Sequence, residues 1–455
     1  VVVIGASMAG LIAARVLSRR AARVTVLDRD RLPDIVEARS GVPQGRHGHG
    51  LLASGAEALE SLFPGLHGEL VAAGAVPGDV IGDVRWFQQG YYKARFASGL
   101  RGILLSRPLL EGTLRRMVQA LPNVTMESST HVLELLADAD RRVVTGVRTR
   151  RANIDGVVGD VALVVDASGR SSRAAEWLER LGYQAPPESQ VDIDLAYTTR
   201  HFRRLPTDLN GDAGALIGSD PPAGRRVGFM LAQEGNRWVV TLAGFLGDHP
   251  PTNARGFKEF AETLARPDIH DVIEHAEPLS DAVMYRFPAN LRRHYERLAR
   301  LPERYVVVGD AICSFNPFYG QGMSVAALEG LLLDRCLDAG VSDLPRRFYR
   351  DARRIIDTPW MIAAGSDFAF TGVTGTKPAG TDATNWYLRR VHRVASTDQT
   401  VCRAFFDVAN LLKPATTLFS PRILGRVVAG SLRGDAGTRP QTGATPKQQE
   451  AAHHA

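Results

Sequence analysis

The first twenty-eight residues limit the fold more than any other stretch of this chain. Val1 to Ile4 is an unbroken apolar run, the pattern of a strand covered on both faces. It stops at Gly5-Ala6-Ser7-Met8-Ala9-Gly10, and an alanine-rich helical run follows to Arg15. Arg23 to Leu27 reads as a second strand and ends on Asp28. Strand, glycine turn, helix, strand and acid at this spacing predict a βαβ unit of the dinucleotide-binding kind. Gly5 makes the tight turn, and Gly10 lets the helix pack against the strand. The helix N-terminus offers unpaired N–H groups to a pyrophosphate, and Asp28 can accept from a ribose hydroxyl. Ser7 stands where the motif has its middle glycine, and its side chain is small.

A second constraint lies late in the chain. Tyr305 to Val308 is another buried-type strand, halted by Gly309-Asp310. Pro317, Gly320, Gln321, Gly322 and Met323 follow, and Ser324 to Leu333 reads as a helix. A carboxylate at a strand end, followed by backbone that can approach a ligand closely, suits a ribityl chain and a flavin ring. Between these two regions, Val161 to Val165 forms a third apolar strand and runs into Asp166-Ala167-Ser168-Gly169.

The rest of the chain is organised around these elements. Ser106-Arg107-Pro108 opens a helix that runs from Leu109 to about residue 121, with Ser as cap and Pro in the first turn. Short strands are expected near 124–126, 130–136 and 143–149. Residues 228–243 read as a hairpin turning at Glu234-Gly235-Asn236. Residues 84–105 are aromatic and strand-like, and this cluster can shape a tunnel for a long apolar ligand. From Ser431 the composition turns Gly-, Pro-, Gln- and Ala-rich, which predicts a disordered tail.

Composition excludes several classes. The 455 residues are 44% hydrophobic and 23% charged, ordinary for a globular protein of two or three units. The net charge is +6, yet only five of the basic residues are Lys, and no basic stripe is interleaved with aromatics. Nucleic acid is therefore not an expected partner. No apolar run reaches the length of a membrane span. Cys313, Cys336 and Cys402 are far apart and form neither a metal spacing nor a disulfide framework, so a reducing cytoplasm is expected. Val1 already lies in the first strand, which points to a native start that is trimmed or missing, with no signal peptide.

Gly5…Gly10 with Asp28, Asp166 to Gly169, and Gly309-Asp310 through Met323 together resemble the single-component FAD-dependent monooxygenases of the para-hydroxybenzoate hydroxylase fold, known as group A. The resemblance covers about residues 1–350. Gly41 to Gly50, the Leu62-Phe63-Pro64-Gly65 helix end and His294 to Pro302 are similar to the subgroup of bacterial polyether-type polyene epoxidases, distant relatives of squalene epoxidase. The expected architecture is α/β (α+β): a discontinuous Rossmann-like FAD-binding domain (1–80, 101–182, 295–344), an inserted antiparallel β-sheet substrate domain (81–100, 183–294) and a helical region (345–430). Asp367, Lys377, Asp382, Arg389 and Arg390 interrupt that last region with polar side chains, which argues against membrane contact.

The resemblance implies a role for each matching residue. Gly5, Ser7 and Gly10 face the pyrophosphate. Asp28 binds the adenosine ribose with Arg29 close by. Gln44 and Arg107 lie on the phosphate and ribityl side, and Val132 meets the adenine through its backbone. Asp166 and Gly169 serve both FAD and NAD(P)H. Asp310 holds the ribityl hydroxyls, and Pro317, Gly320, Gln321, Gly322 and Met323 pass along the isoalloxazine. The implied chemistry is NAD(P)H reduction of FAD, then reaction with O2 to a flavin C4a-hydroperoxide. Its distal oxygen goes to an alkene of a polyketide or terpenoid polyene in secondary metabolism.

No catalytic side chain is assigned, because epoxidation needs no obligatory acid–base pair. A phenol hydroxylase would profit from a base, and none is identifiable. Phe229, Trp238, Phe315, Phe318 and Tyr319 are the expected substrate-lining residues, each with core packing as the alternative. His47 and His49 lie in a loop near the flavin, where a ring contact, a covalent link or a backbone hydrogen bond are open. An aromatic or polyketide hydroxylase of the same fold and a prenyl-chain reductase remain alternatives. A halogenase is disfavoured because no Lys precedes Lys93 and its Trp motif is missing. A non-enzymatic flavin-binding protein would lack substrate-stimulated NADPH consumption.

Overall fold

The computed structural model describes residues 1–33, 35–222 and 224–432. A five-stranded parallel sheet forms the first layer, in the order Tyr305–Val307, Val164–Asp166, Val2–Ile4, Val24–Leu27, Val124–Glu127. Strands Val2–Ile4, Val164–Asp166 and Tyr305–Val307 are mostly apolar and buried, because helices cover them. Met8–Ser18 packs against Gly322–Leu337 and Arg107–Gln119. The Ser106 hydroxyl accepts from the Leu109 N–H at 3.2 Å with Pro108 in the first turn, as its sequence predicts. An antiparallel meander of Thr130–Ala137, Val144–Arg151 and Ile154–Val158 flanks this layer.

The second layer is a nine-stranded sheet. Its long strands are Glu188–Arg203, Arg226–Gln233, Arg237–Gly244 and Val283–Arg293, and its far edge carries Val84–Gln88 and Tyr91–Tyr92. Glu188–Arg203 begins with strict alternation, exposing Glu188, Gln190 and Asp192 and burying Val191 and Ile193. Beyond a bulge between Asp192 and Leu195, both faces are covered. The sheet is antiparallel as expected except that Gly214–Ile217 runs parallel to Val84–Gln88. It also recruits Cys313–Ser314 and Thr374–Gly375, from segments expected outside it.

Helices Leu344–Trp360, Thr381–Val394, Gln399–Ala409 and Pro421–Leu432 follow. The last three build their own core against Ile81, Leu100 and Trp86; the Trp86 and Phe406 ring centroids are 5.1 Å apart. Ser431 and Leu432 belong to the final helix, so the tail cannot begin at Ser431. Residues 433–455, the remainder of the expected tail, lie outside the described residues. Among the described residues no helix is long and apolar enough to cross a membrane.

Candidate cofactor and substrate site

The glycines of the first turn are required by close approach. Gly5 has φ +99°, and a Cβ there would sit 2.5 Å from the Ala167 carbonyl oxygen. A Cβ on Gly10 would lie 1.8 Å from the Gly5 oxygen. Helix Met8–Ser18 thus rests directly on the strand turn, and no side chain caps its N-terminus. Its first N–H groups remain available to an anion.

The Ser7 side chain does not cap the helix but joins a charged lattice. Its hydroxyl donates to Glu111 Oε2 and accepts from Arg107 Nη2, both at 2.8 Å. Glu111 also accepts from Arg39 Nε at 2.8 Å, and Arg39 Nη1 reaches Asp28 at 3.1 Å and Asp30 at 2.9 Å. Burial works against the charge on Glu111, but Arg107, Arg39 and the Ser7 hydroxyl hold its carboxyl below the usual range. Sequence reasoning missed Arg39 and Glu111. Glu111 carried one readable signal, its position four residues after Arg107 on a helix. Arg39 is one arginine among many and carried none.

Asp28 is buried, and its Oδ2 accepts from the Ala6 N–H at 2.6 Å. The carboxylate therefore clamps the glycine turn. Arg29 is exposed beside it. Gln44 lies half-buried in the one-turn helix Pro43–Arg46. Val132 is half-buried beside a register shift in its strand, where the backbone leaves regular pairing.

The two acidic strand ends differ. Asp166 is fully buried and its acceptors are used inside the protein, by the Ser168 N–H at 2.9 Å, the Ser172 hydroxyl at 2.7 Å and the Tyr305 hydroxyl at 3.0 Å. Its carboxylate shapes the turn, whose Gly169 at φ +82° faces open space. Asp310, in contrast, accepts no hydrogen bond from the described residues. Burial pushes its carboxyl above the usual range, opposed by Arg107 and Arg170. Behind it, Glu329 Oε2 accepts from the Gly309 N–H at 2.6 Å, and burial pushes this carboxyl up to about 8. Glu329 is a support that sequence reasoning missed.

After Asp310 the chain makes the one-turn helix Pro317–Tyr319 and passes through Gly320 at φ +64°. Gly320 packs against the Gly50 backbone at ordinary contact distance, so its positive φ rather than the approach is what calls for glycine. Gln321 is 1% exposed, yet neither its Oε1 nor its Nε2 has a partner. Helix Gly322–Leu337 starts there, with no side-chain cap and with Met323 buried. Two unpartnered buried amide atoms, an acceptor-only carboxylate without donors and an uncapped helix over a glycine turn fit the ring, ribityl and pyrophosphate parts of FAD.

Neither loop histidine is positioned as a charge. His47 Nδ1 lies 2.8 Å from Thr199 Oγ1, which in turn lies 2.6 Å from Thr241 Oγ1. Burial, with His201 and Arg46 nearby, lowers its pKa to about 4. His49 Nδ1 donates to the His47 carbonyl at 3.0 Å, the backbone bond among the open alternatives. Burial and Arg107 bring it down to about 3. Unfolded imidazoles take a proton near pH 6.5, whereas these stay neutral. Their stabilising contribution is complete above about pH 6.5 and is lost as pH falls toward 4. His47→Gln is expected to flatten the fall in unfolding free energy between pH 6.5 and 4.5, by up to about 1.4 kcal/mol per pH unit. Urea titrations across that range check this, and an unchanged slope contradicts it.

A cavity of about 210 Å³ opens beside Pro317–Gln321 and runs between the large sheet and the C-terminal helices. Phe229, Phe318 and Tyr319 line it, and of the aromatic cluster Trp86 reaches it. Two expectations are corrected. Trp238 is fully buried in the second core, where its Nε1 donates to Asp208 Oδ2 at 2.7 Å. The strand Arg237–Gly244 is covered on both faces, so alternation did not reveal its direction. Phe315 points into the first core instead of the cavity. The three cysteines are buried and free, and no metal-binding cluster occurs among the described residues.

Comparison with known proteins places this geometry. Residues 1–339 match the family model described as FAD binding domain. Protein Rv3254 of Mycobacterium tuberculosis is 34% identical over 452 residues, spanning 95% of this chain and 94% of that protein. Kynurenine 3-monooxygenase of Salinispora tropica is 27% identical over 365 residues, 74% of this chain and 72% of the enzyme. Among solved structures, p-nitrophenol 4-monooxygenase PnpA of Pseudomonas putida DLL-E4 superposes with TM-score 0.62 at 16% identity, covering 90% of this chain and 97% of that one. The last likeness is one of fold alone.

Proposed function

We propose that this chain, which belongs to the FAD-binding monooxygenase family, uses NAD(P)H and O2 to add one oxygen atom to an alkene of an extended apolar substrate, such as a polyketide or terpenoid polyene. The carrying observation is the cavity. Ile103, Leu104, Leu216, Leu231, Leu388 and Val408 line it, and one end closes on the Pro317–Gln321 turn. Walls of this kind favour a long hydrocarbon and exclude water from the reacting end. FAD, when bound, supplies the redox chemistry that passes electrons from nicotinamide to dioxygen. The chain's own residues hold it: Gly5, Ser7 and Gly10 at the pyrophosphate, Asp28 at the ribose, Gln44 and Arg107 on the phosphate side, Val132 at the adenine. Asp310 takes the ribityl hydroxyls, and Pro317, Gly320, Gln321, Gly322 and Met323 flank the ring. Gly169 borders the cofactor through its backbone. The chain has one dinucleotide motif, so the nicotinamide docks transiently on the same domain.

Hydroxylation of an aromatic ring is a second reading, and one observation favours it. A buried acid, Asp367, stands one hydrogen bond behind the cavity-lining Tyr319. The base that could not be identified in the sequence has a candidate. The two readings separate in NAD(P)H oxidation by the FAD-loaded protein with linear polyenes and with phenols, each followed by product analysis. Stimulation by polyenes with an epoxide product supports the first reading. Stimulation by phenols alone moves the assignment to the second, and oxidation unaffected by either class overturns both.

A further inference from the structure

Helix Thr381–Val394 presents one face to the substrate cavity. Asn385, Leu388, Arg389 and His392 recur at three- and four-residue spacing and so share that face. A second, smaller chamber of about 30 Å³ lies along it. Gln88, Phe318, Tyr319, Ser366, Leu388 and His392 line both chambers, so the small one adjoins the cavity as a side arm. The two differ in their walls. Hydrocarbon dominates the cavity, whereas the side arm brings in Gln89, Ser219, Asn385 and Arg389 beside its apolar residues. A water takes about 10–15 Å³ of such space, so the arm has room for roughly two waters or one carboxylate.

Polar groups of the arm are left without partners. His392 is 5% exposed, and its enclosed Nδ1 has no partner among the described residues. Burial and Lys93 push its pKa well below the ordinary value, so the ring is neutral and carries one N–H. Gln89 sits at the hairpin tip after Val84–Gln88 with φ +55°, and its enclosed Oε1 is also unpartnered. Its amide can turn either end to a ligand. Arg389 is exposed; among the described residues it makes no ion pair and is the one charged side chain that lines the arm. Behind the wall, the Lys93 ammonium donates to the carbonyls of Gln88 at 3.2 Å and His392 at 3.4 Å, pinning two residues on which the chambers meet. Asp367, next to Ser366, turns its oxygens to Asn290, Asn316 and Tyr319 instead. The arm is therefore rich in donors, cationic at its rim and lined by no carboxylate.

We propose that the side arm is an anion subsite, in which Arg389 and His392 take the carboxylate of a substrate whose hydrocarbon chain fills the cavity and reaches the Pro317–Gln321 turn. The substrate class narrows to unsaturated long-chain acids. Their charge stays at the rim beside Arg389 and water, so its desolvation is small, while the chain gains from the apolar walls. Fixing one end also fixes which chain atoms lie at the turn, so the subsite sets the position of oxidation. Helix Thr381–Val394 lies beyond residues 1–339, the stretch that matches the FAD-binding family, so this recognition is built by the part of the chain outside the family model. The subsite deepens the first reading above and rests on it only for the acid being a substrate.

The test compares parinaric acid, a linear conjugated tetraenoic acid, with the alcohol of the same chain. Both are titrated calorimetrically into the FAD-loaded protein without NAD(P)H, at about pH 8 so that the carboxyl is ionised. Wild type is expected to bind the acid about fivefold more tightly than the alcohol, the most that an ion pair on an exposed arginine usually gives. Arg389→Gln breaks no ion pair among the described residues. It is expected to bring the acid down to the affinity of the alcohol and to leave the alcohol unchanged. His392→Phe keeps a ring against Phe405 and is expected to weaken the acid about threefold, the effect of one neutral hydrogen bond. Arg390→Gln is the control, because that guanidinium stacks on Trp386 at 3.5 Å and does not line the arm. Equal affinities in wild type, a preference that survives Arg389→Gln, acid binding untouched by His392→Phe, or an equal loss in Arg390→Gln overturns the proposal. Added NAD(P)H separates the subsite from the oxygenase reading. A preference for the acid without an oxygenated product keeps the subsite and sinks that reading; oxygenation of acid and alcohol bound equally does the reverse.

Discussion

Gly10→Val abolishes FAD binding and lowers unfolding stability by about 3 kcal/mol or more. The argument is geometric. The first side-chain atom would stand 1.8 Å from the Gly5 oxygen and 3.5 Å from the Ala167 side chain. The atom it meets is backbone, and the turn that carries it is itself held by the Asp28 carboxylate on the Ala6 N–H. Nothing there can yield like the end of a flexible side chain. Helix Met8–Ser18 must lift from the sheet, exposing Leu11, Ile12 and Val16, all essentially fully buried. The same displacement moves the helix N-terminus from the place we propose for the pyrophosphate. Urea denaturation together with flavin retention on purification checks both halves, and a stable variant that keeps its flavin contradicts the account.

Asp310→Ala separates binding from folding. Asp310 has no donor among the described residues, so removing it breaks none of their hydrogen bonds. Its folded pKa is raised by burial; at pH 7 the unfolded carboxyl therefore ionises more readily than the folded one, and the charge penalises the folded apo-protein. The variant's apo form is expected to be as stable as wild type or more so. Its FAD affinity is expected to fall about 100-fold, from losing two hydrogen bonds to a charged acceptor. Calorimetric FAD titration and apo-protein melting give the two numbers. Unchanged affinity would remove Asp310 from the cofactor site.

The parallel-sheet layer was legible because its constraints are local. Gly5, Gly10 and Asp28 fall within one βαβ unit, and Gly309-Asp310 sits at a strand end, so spacing alone carries them. The Arg39–Glu111 lattice was not legible. It joins residues 72 apart and depends on how a loop folds over a helix. Trp238 was misplaced because a strand covered on both faces shows no alternation. The burial of Asp367 was not legible, because what holds it inside is a set of donors from Asn290, Asn316 and Tyr319, none near it in sequence.

The most direct test of the central claim is the origin of the oxygen in the product. The FAD-loaded protein, NAD(P)H and whichever substrate stimulates oxidation are incubated under labelled dioxygen, and in parallel in labelled water under ordinary dioxygen, with products read by mass spectrometry. The account predicts one labelled atom from dioxygen in each product molecule formed and none directly from water. A reduced product without added oxygen, or an oxygen drawn from water, would contradict it.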